Sequence, residues 1–135
     1  MIKNIPDLSR INGRQQTSVY TISKQFNFSA SHIIEGLTDE HPCSRLHGHN
    51  YVVELVLAAE ELNATGFVVD YNELGVFKDM IDERLDHRHL NDVLTGPTTA
   101  ESIAKYLYDH AKEIWQEVIS VSVSETPKTN ATYRP

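Results

Sequence analysis

Two long stretches of period-two alternation constrain this chain more than any other feature. In SVYTISKQFNFSASH (residues 18–32), Tyr20, Ile22, Phe26, Phe28 and Ala30 share a parity with His32, interrupted by Lys24. In the stretch from 47 to 60, the odd positions His47, His49, Tyr51, Val53, Leu55 and Leu57 line one side, and Glu54 is the charge in its middle. Side chains that repeat every second residue lie on one face of a strand. The alternation therefore predicts two long strands, joined by a loop over 33–46 that holds Gly36, Pro42 and the acidic run TDEH.

The remaining pattern adds helices and short strands to this pair. Gly66 marks a turn and FVV (67–69) reads as a short third strand. Asp70-Tyr71-Asn72-Glu73 has the form of a capping box, with Leu74, Phe77, Ile81 and Leu85 behind it at helical spacing, so 71–85 reads as a helix. LDHRHLND (85–92) is a polar break. Thr98-Thr99-Ala100-Glu101 is a second capping pattern, followed by a stripe of Ile103, Leu107, Ala111, Ile114 and Val118. VISVSVSE then alternates, with Ile119, Val121, Val123 and Glu125 on one face. The order β-β-β-α-α-β predicts an α+β domain, an antiparallel β-sheet with helices, spanning residues 18–135. Residues 1–17, polar and without period, read as a flexible N-terminal arm.

At 135 residues the chain is the size of one domain. Its formal charge of −7 argues against a nucleic-acid or anionic-membrane partner. No apolar run approaches the roughly 20 residues needed to span a bilayer, and MIKNIPDLSRINGRQQTS has no signal-peptide core, so the expected location is cytoplasmic. The single cysteine, Cys43, cannot form an internal disulfide; it is a free thiol, a metal ligand or a base.

The densest chemistry lies in CSRLHGH (43–49). His47 and His49 project from the same face of a strand start, roughly 7 Å apart along the backbone. His32 ends the preceding strand and supplies a third nitrogen if the two strands pair. Three histidines are the ligand set of a catalytic zinc; histidines bonded to the backbone at strand ends are the plainer reading. Cys43 is either a fourth ligand that closes the site or a thiol activated beside it. Asp86-His87 is a carboxylate beside an imidazole, a pattern that tunes acid/base histidines but suits a solvated loop as well. Glu125, a carboxylate on an apolar strand face, needs a partner. Either an Arg or Lys of the fold or a ligand with two adjacent N–H donors, such as a pterin or guanine edge, would serve. His41, His89 and His110 read as surface or structural residues, and Asp70, Thr98 and Glu101 as helix caps.

FSASH (28–32), CSRLHGHNY (43–51), VVDYNEL (68–74), LDHRHLN (85–91), TAE (99–101) and SET (124–126) follow one another in an order that resembles the 6-pyruvoyltetrahydropterin synthase family. The resemblance covers about residues 18–127. Within that family the short Cys-x-x-x-His-Gly-His spacing is similar to the bacterial 6-carboxy-5,6,7,8-tetrahydropterin synthase (QueD) branch. The pyruvoyl-forming branch carries a longer insertion, and a third branch has glutamate in place of the cysteine. The resemblance implies a tunnelling fold with two helices packed on one face of the sheet. It also implies a trimer-based homo-oligomeric barrel, stacked into a homohexamer, with active sites between subunits. Such an assembly fits long strands that read as apolar on both faces.

The resemblance also assigns roles. It makes His32, His47 and His49 the ligands of Zn2+, Cys43 the catalytic base, and Asp86 with His87 a proton-relay pair. Glu125 becomes the anchor of the pterin ring, with Thr99 beside it. One departure is Pro97-Thr98-Thr99-Ala100-Glu101, one residue longer than the family's pattern, which leaves Thr98 and Thr99 as alternatives at the ligand. The implied reaction converts 7,8-dihydroneopterin triphosphate to 6-carboxytetrahydropterin, releasing acetaldehyde and triphosphate, in queuosine and 7-deazaguanine biosynthesis. The alternatives are the pyruvoyl reaction, which keeps all side-chain carbons, and a non-catalytic zinc module closed by Cys43.

Overall fold

The computed structural model describes residues 10–11, 14–15 and 18–135. The arm expected over 1–17 lies outside the described residues, apart from β1 (Arg10–Ile11) and β2 (Arg14–Gln15), which pair antiparallel. The two long strands form as their alternation requires: β3 is Tyr20–His32 and β4 is His47–Ala59. They pair antiparallel along their whole length, from Tyr20 opposite Ala59 to His32 opposite His47. The sheet continues with β5 (Arg88–His89), β6 (Val118–Ser124) and β7 (Ala131–Tyr133) in the spatial order β5-β3-β4-β6-β7.

One face of the sheet carries the core. Phe26, Phe28, Tyr51, Val53, Leu55, Leu57, Val121 and Val123 pack there with the buried sides of α1 (Gly75–Arg84) and α2 (Ala100–Ile114). Phe28 stacks on Tyr51 at 4.7 Å, and Phe26 meets the edge of Phe77 from α1 at 5.2 Å. The other face departs from the expected doubly apolar strands. On β3 it presents exposed Ser23, Gln25 and Asn27, and on β4 half-buried Val52, Glu54 and Val56. Hydroxyl and amide side chains keep that side of β3 compatible with water.

Local expectations failed where tertiary pairing overrode pattern. FVV is not a strand: Val68 and Val69 are buried while Phe67 is exposed, and Asn63 holds the turn. Its side-chain oxygen accepts from the amides of Thr65 and Phe67, and its own amide donates to the Phe67 carbonyl. The helix expected over 71–85 begins as a 3-10 turn, Tyr71–Leu74, capped by the Asp70 carboxylate on the Asn72 amide; α1 follows from Gly75. The cap of α2 is Thr99, which accepts from the Ser102 amide, and not Thr98.

In β6 a bulge breaks the simple alternation: Leu57 pairs with Val118 and Val56 with Ser120, so Ile119 falls out of register and Val118 takes the core position. β5 runs parallel to β3, so the sheet expected to be antiparallel is mixed. The short β7 was not foreseen, since three residues carry too little periodicity to register.

The Phe26–Phe77 contact ties α1 to β3. Phe77→Ala is expected to destabilise the chain by about 3–5 kcal/mol, the usual cost of a buried aromatic truncation. Val76→Ala, at the exposed neighbouring position, is expected to stay within about 0.5 kcal/mol of the parent. Urea unfolding followed by circular dichroism measures both, and equal losses would mean that α1 presents a different face.

Candidate metal centre and its surroundings

The register of β3 and β4 determines the site. Because His32 lies opposite His47 and His49 opposite Ala30, three imidazoles converge where the strand pair ends. Their ring centroids are 4.5, 5.2 and 5.0 Å apart for His32–His47, His32–His49 and His47–His49. One ring nitrogen from each lies within 4.8 Å of the others. Gly48, between the two β4 histidines, crosses close to β3: a Cβ there would sit 3.2 Å from the Ala30 carbonyl oxygen.

The hydrogen bonds around the rings orient them. His32 is 1% exposed, and its Nδ1 lies 2.8 Å from the Thr98 carbonyl oxygen. His47 Nδ1 lies 2.7 Å from the Arg45 carbonyl oxygen. Each of these bonds engages Nδ1 and leaves Nε2 available, the arrangement that fixes the tautomer of a ligating histidine. His32 Nε2 and His49 Nε2 are buried without a hydrogen-bond partner, which is costly unless something else binds them. Burial, opposed in part by the Thr98 carbonyl, holds the His32 pKa below its ordinary value and favours the neutral form that ligates. Three converging imidazoles with two orphaned buried nitrogens fit a metal ion, and the set contains no thiol.

Glu125 follows β6 directly, and its Oε2 lies 3.5 Å from His49 Nε2. Among the described residues no Lys or Arg forms an ion pair with it, and His49 is its ionisable neighbour. It lines a cleft of about 680 Å³ together with Gln25, His49, Asn50 and Thr126. Tyr51 lies beneath the histidines, its hydroxyl 3.4 Å from His32 Nδ1, and burial, followed by the nearby Glu125 charge, raises its pKa.

Cys43 sits half-buried in the 3-10 turn Pro42–Ser44. Its amide donates to His41 Nδ1 at 3.0 Å, and its carbonyl accepts from the Ile34 amide at 2.9 Å, which anchors the turn to the chain just after β3. The structural role expected for His41 is thus specific: it caps the turn that carries the thiol.

Asp86 and His87 do bond each other, at 2.9 Å from Oδ2 to Nδ1, although adjacent residues seldom do. The backbone explains it: His87 adopts φ 58°, a left-handed conformation that closes the pair. The second Asp86 oxygen accepts from the Ser29 amide at 2.9 Å, and that bond, with His87 as the next contribution, holds the carboxyl below its usual range. The His87 side chain is 82% exposed. Thr98 is buried at 1%, with its carbonyl turned to His32, while Thr99 is taken up by its cap.

Two residues at this end of the sheet carried no sequence signal. The Asn91 amide brackets the residue after His32, accepting from the Ile33 amide and donating to its carbonyl, both at 2.9 Å. His89, read as a surface residue, has its Nδ1 2.9 Å from the Ser31 hydroxyl. His110, read as a surface or structural residue, packs its ring against Tyr106 on α2.

Residues 21–135 match the family described as 6-pyruvoyl tetrahydropterin synthase. A 6-carboxy-5,6,7,8-tetrahydropterin synthase of Bacillus subtilis is 32% identical over 130 residues, covering 86% of each chain. A 6-pyruvoyl tetrahydrobiopterin synthase of Drosophila melanogaster is 31% identical over 137 residues, covering 88% of this chain and 82% of its own. The structure of the Caenorhabditis elegans 6-pyruvoyl tetrahydropterin synthase superposes with a TM-score of 0.78 at 28% identity, covering 88% of this chain and 97% of that one. The α+β tunnelling fold expected from the motifs is thereby established, and the chain belongs to the 6-pyruvoyl tetrahydropterin synthase family of enzymes.

Proposed function

We propose that this chain is a zinc-dependent 6-carboxy-5,6,7,8-tetrahydropterin synthase. It would convert 7,8-dihydroneopterin triphosphate to 6-carboxytetrahydropterin with release of acetaldehyde and triphosphate, acting in queuosine and 7-deazaguanine biosynthesis. The observation that carries the reading is the three-imidazole set with its orphaned nitrogens, flanked at 3.5 Å by a carboxylate that no Lys or Arg of the described residues pairs with. The short Cys43-to-His47 spacing favours this branch over the pyruvoyl synthases. Relatives named for either reaction match at nearly equal identity, so the pyruvoyl reaction is the second reading.

Zinc held by His32, His47 and His49 would supply Lewis acidity toward the hydroxyls of the substrate side chain. Glu125 accepts from the amino and ring N–H groups of the pterin through its two oxygens. Cys43, as thiolate, removes a proton from the side chain next to the ring, and the ring takes up the electrons. His87, oriented by Asp86, handles the hydroxyl proton. Thr99 stands beside the pterin at the start of α2. An assembly of trimers, stacked as a homohexamer with sites between subunits, would bring the exposed His87 ring of one chain to the site of another. A cytoplasmic location suits this metabolism.

Three measurements follow. His47→Ala is expected to lower bound zinc, read by atomic emission, well below one per chain while the fold persists. Cys43→Ala is expected to lower turnover by at least about 100-fold, the scale of general-base loss, with zinc retained. Departure of zinc along with the thiol would return Cys43 to the metal and favour the closed module. Incubation of zinc-loaded protein with 7,8-dihydroneopterin triphosphate should yield acetaldehyde and a carboxypterin. Triphosphate release without acetaldehyde would assign the pyruvoyl reaction instead.

A further inference from the structure

β3 ends at His32, so the most buried of the three imidazoles sits on the last residue of its strand. Strand ends are where backbone pairing frays, and a ligand on a fraying backbone cannot hold its ring nitrogen in one place. On one side His32 lies opposite His47 of β4. On the other side β5 pairs with β3 through Arg88 opposite Ala30 and His89 opposite Ser31, then leaves the sheet for the 3-10 turn Leu90–Asp92. Asn91 lies 58 residues beyond Ile33, the offset of those backbone pairs, and its side chain takes over where the backbone has departed. Its Oδ1 accepts from the Ile33 amide and its Nδ2 donates to the Ile33 carbonyl, both at 2.9 Å. A side-chain amide carries donor and acceptor together, as a peptide group does.

We propose that Asn91 is a positioning residue of the metal centre: it continues the β5 ladder past its last backbone pair and thereby fixes the strand end that presents His32. The assignment rests on the metal part of the reading above and on no step of the pterin reaction. The Ile33 carbonyl also accepts from the Thr98 hydroxyl at 3.3 Å, and the Thr98 carbonyl is the group that turns the His32 ring, 2.8 Å from Nδ1. One peptide group is therefore common to the backbone that carries the ligand and to the residue that aims it. Without the Asn91 amide the Ile33 N–H loses this partner, and the Ile33 carbonyl is left to the Thr98 hydroxyl.

The turn itself does not depend on these two bonds. Leu90 is fully buried in the core and Leu94 nearly so, and the amides of Val93 and Leu94 both donate to the Leu90 carbonyl. Packing around Ile33 is by contrast incomplete, because a cleft of about 180 Å³ opens beside it, lined also by Asn91, Pro97 and Thr98. Hydrogen bonds rather than close packing hold the peptide after His32. The side chain of Asn91 is thus separable from the core that supports it, and its loss bears on the metal centre more than on the fold.

The test compares Asn91→Ala with Asn63→Ala, which removes another asparagine that brackets backbone, in the turn beyond the opposite end of β4. Zinc affinity is measured by competition with a chromogenic chelator. The visible spectrum is recorded with cobalt in place of zinc, and urea unfolding of the metal-free proteins reports the fold. Asn91→Ala is expected to weaken zinc binding by about 10–100-fold and to change the cobalt spectrum, the usual effect of losing a group that orients a ligand. Asn91→Asp keeps the acceptor but sets an oxygen against the Ile33 carbonyl, and it should weaken zinc binding as well. Asn63→Ala should lower the urea midpoint while zinc affinity and the cobalt spectrum stay as in the parent. Parental zinc affinity in Asn91→Ala, or an equal loss in Asn63→Ala, overturns the positioning role and leaves the metal centre standing. A parent that takes up no zinc overturns the metal reading itself, and the positioning role with it.

Discussion

The in-register pairing of β3 with β4 is the constraint on which the rest of this molecule depends. A strand register cannot slip by one residue without exchanging its two faces. Here one face holds Phe26, Phe28, Tyr51, Val53 and Leu55 against two helices, and the same register places His32 opposite His47 at the far end. The hydrophobic core and the metal centre therefore cannot vary independently. Apolar burial along the length of the pair holds the geometry of three imidazoles that burial alone would not favour.

Around that pair the chain uses backbone groups to aim side chains. The Thr98 carbonyl turns His32, the Arg45 carbonyl turns His47, and the amide of Asn91 brackets the backbone of Ile33. The Ser29 amide and carbonyl together receive the Asp86–His87 segment, the carbonyl accepting from the His87 amide at 2.6 Å. The left-handed residue in that segment is retained because β5 then continues along β3. Each arrangement draws on an element already fixed by the sheet, which is how side chains become preorganised on a rigid scaffold.

The opposite face of the sheet follows a different logic. Serines, Gln25 and Asn27 on β3 keep it wet, and two clefts that meet at Gly48–Asn50 open on that side.

The sequence by itself determined the long strands, both helices and the histidine set. Alternation at i, i+2 and apolar spacing at i, i+3, i+4 are local properties that a strand or helix expresses wherever it forms. The residue pattern singled out Cys43, Asp86, His87 and Glu125, and the resemblance of six motifs gave them roles and added Thr99, but neither could supply their partners. Only the tertiary structure decided that Thr98 serves His32 while Thr99 caps α2, that Asp86 bonds Ser29, and that Asn91 brackets Ile33. These contacts span 66, 57 and 58 residues of chain for His32–Thr98, Ser29–Asp86 and Ile33–Asn91. The register shift that moved Val118 into the core, and the loss of FVV as a strand, have the same origin: pairing partners and packing, not the local pattern, choose among conformations that short segments hold nearly in balance.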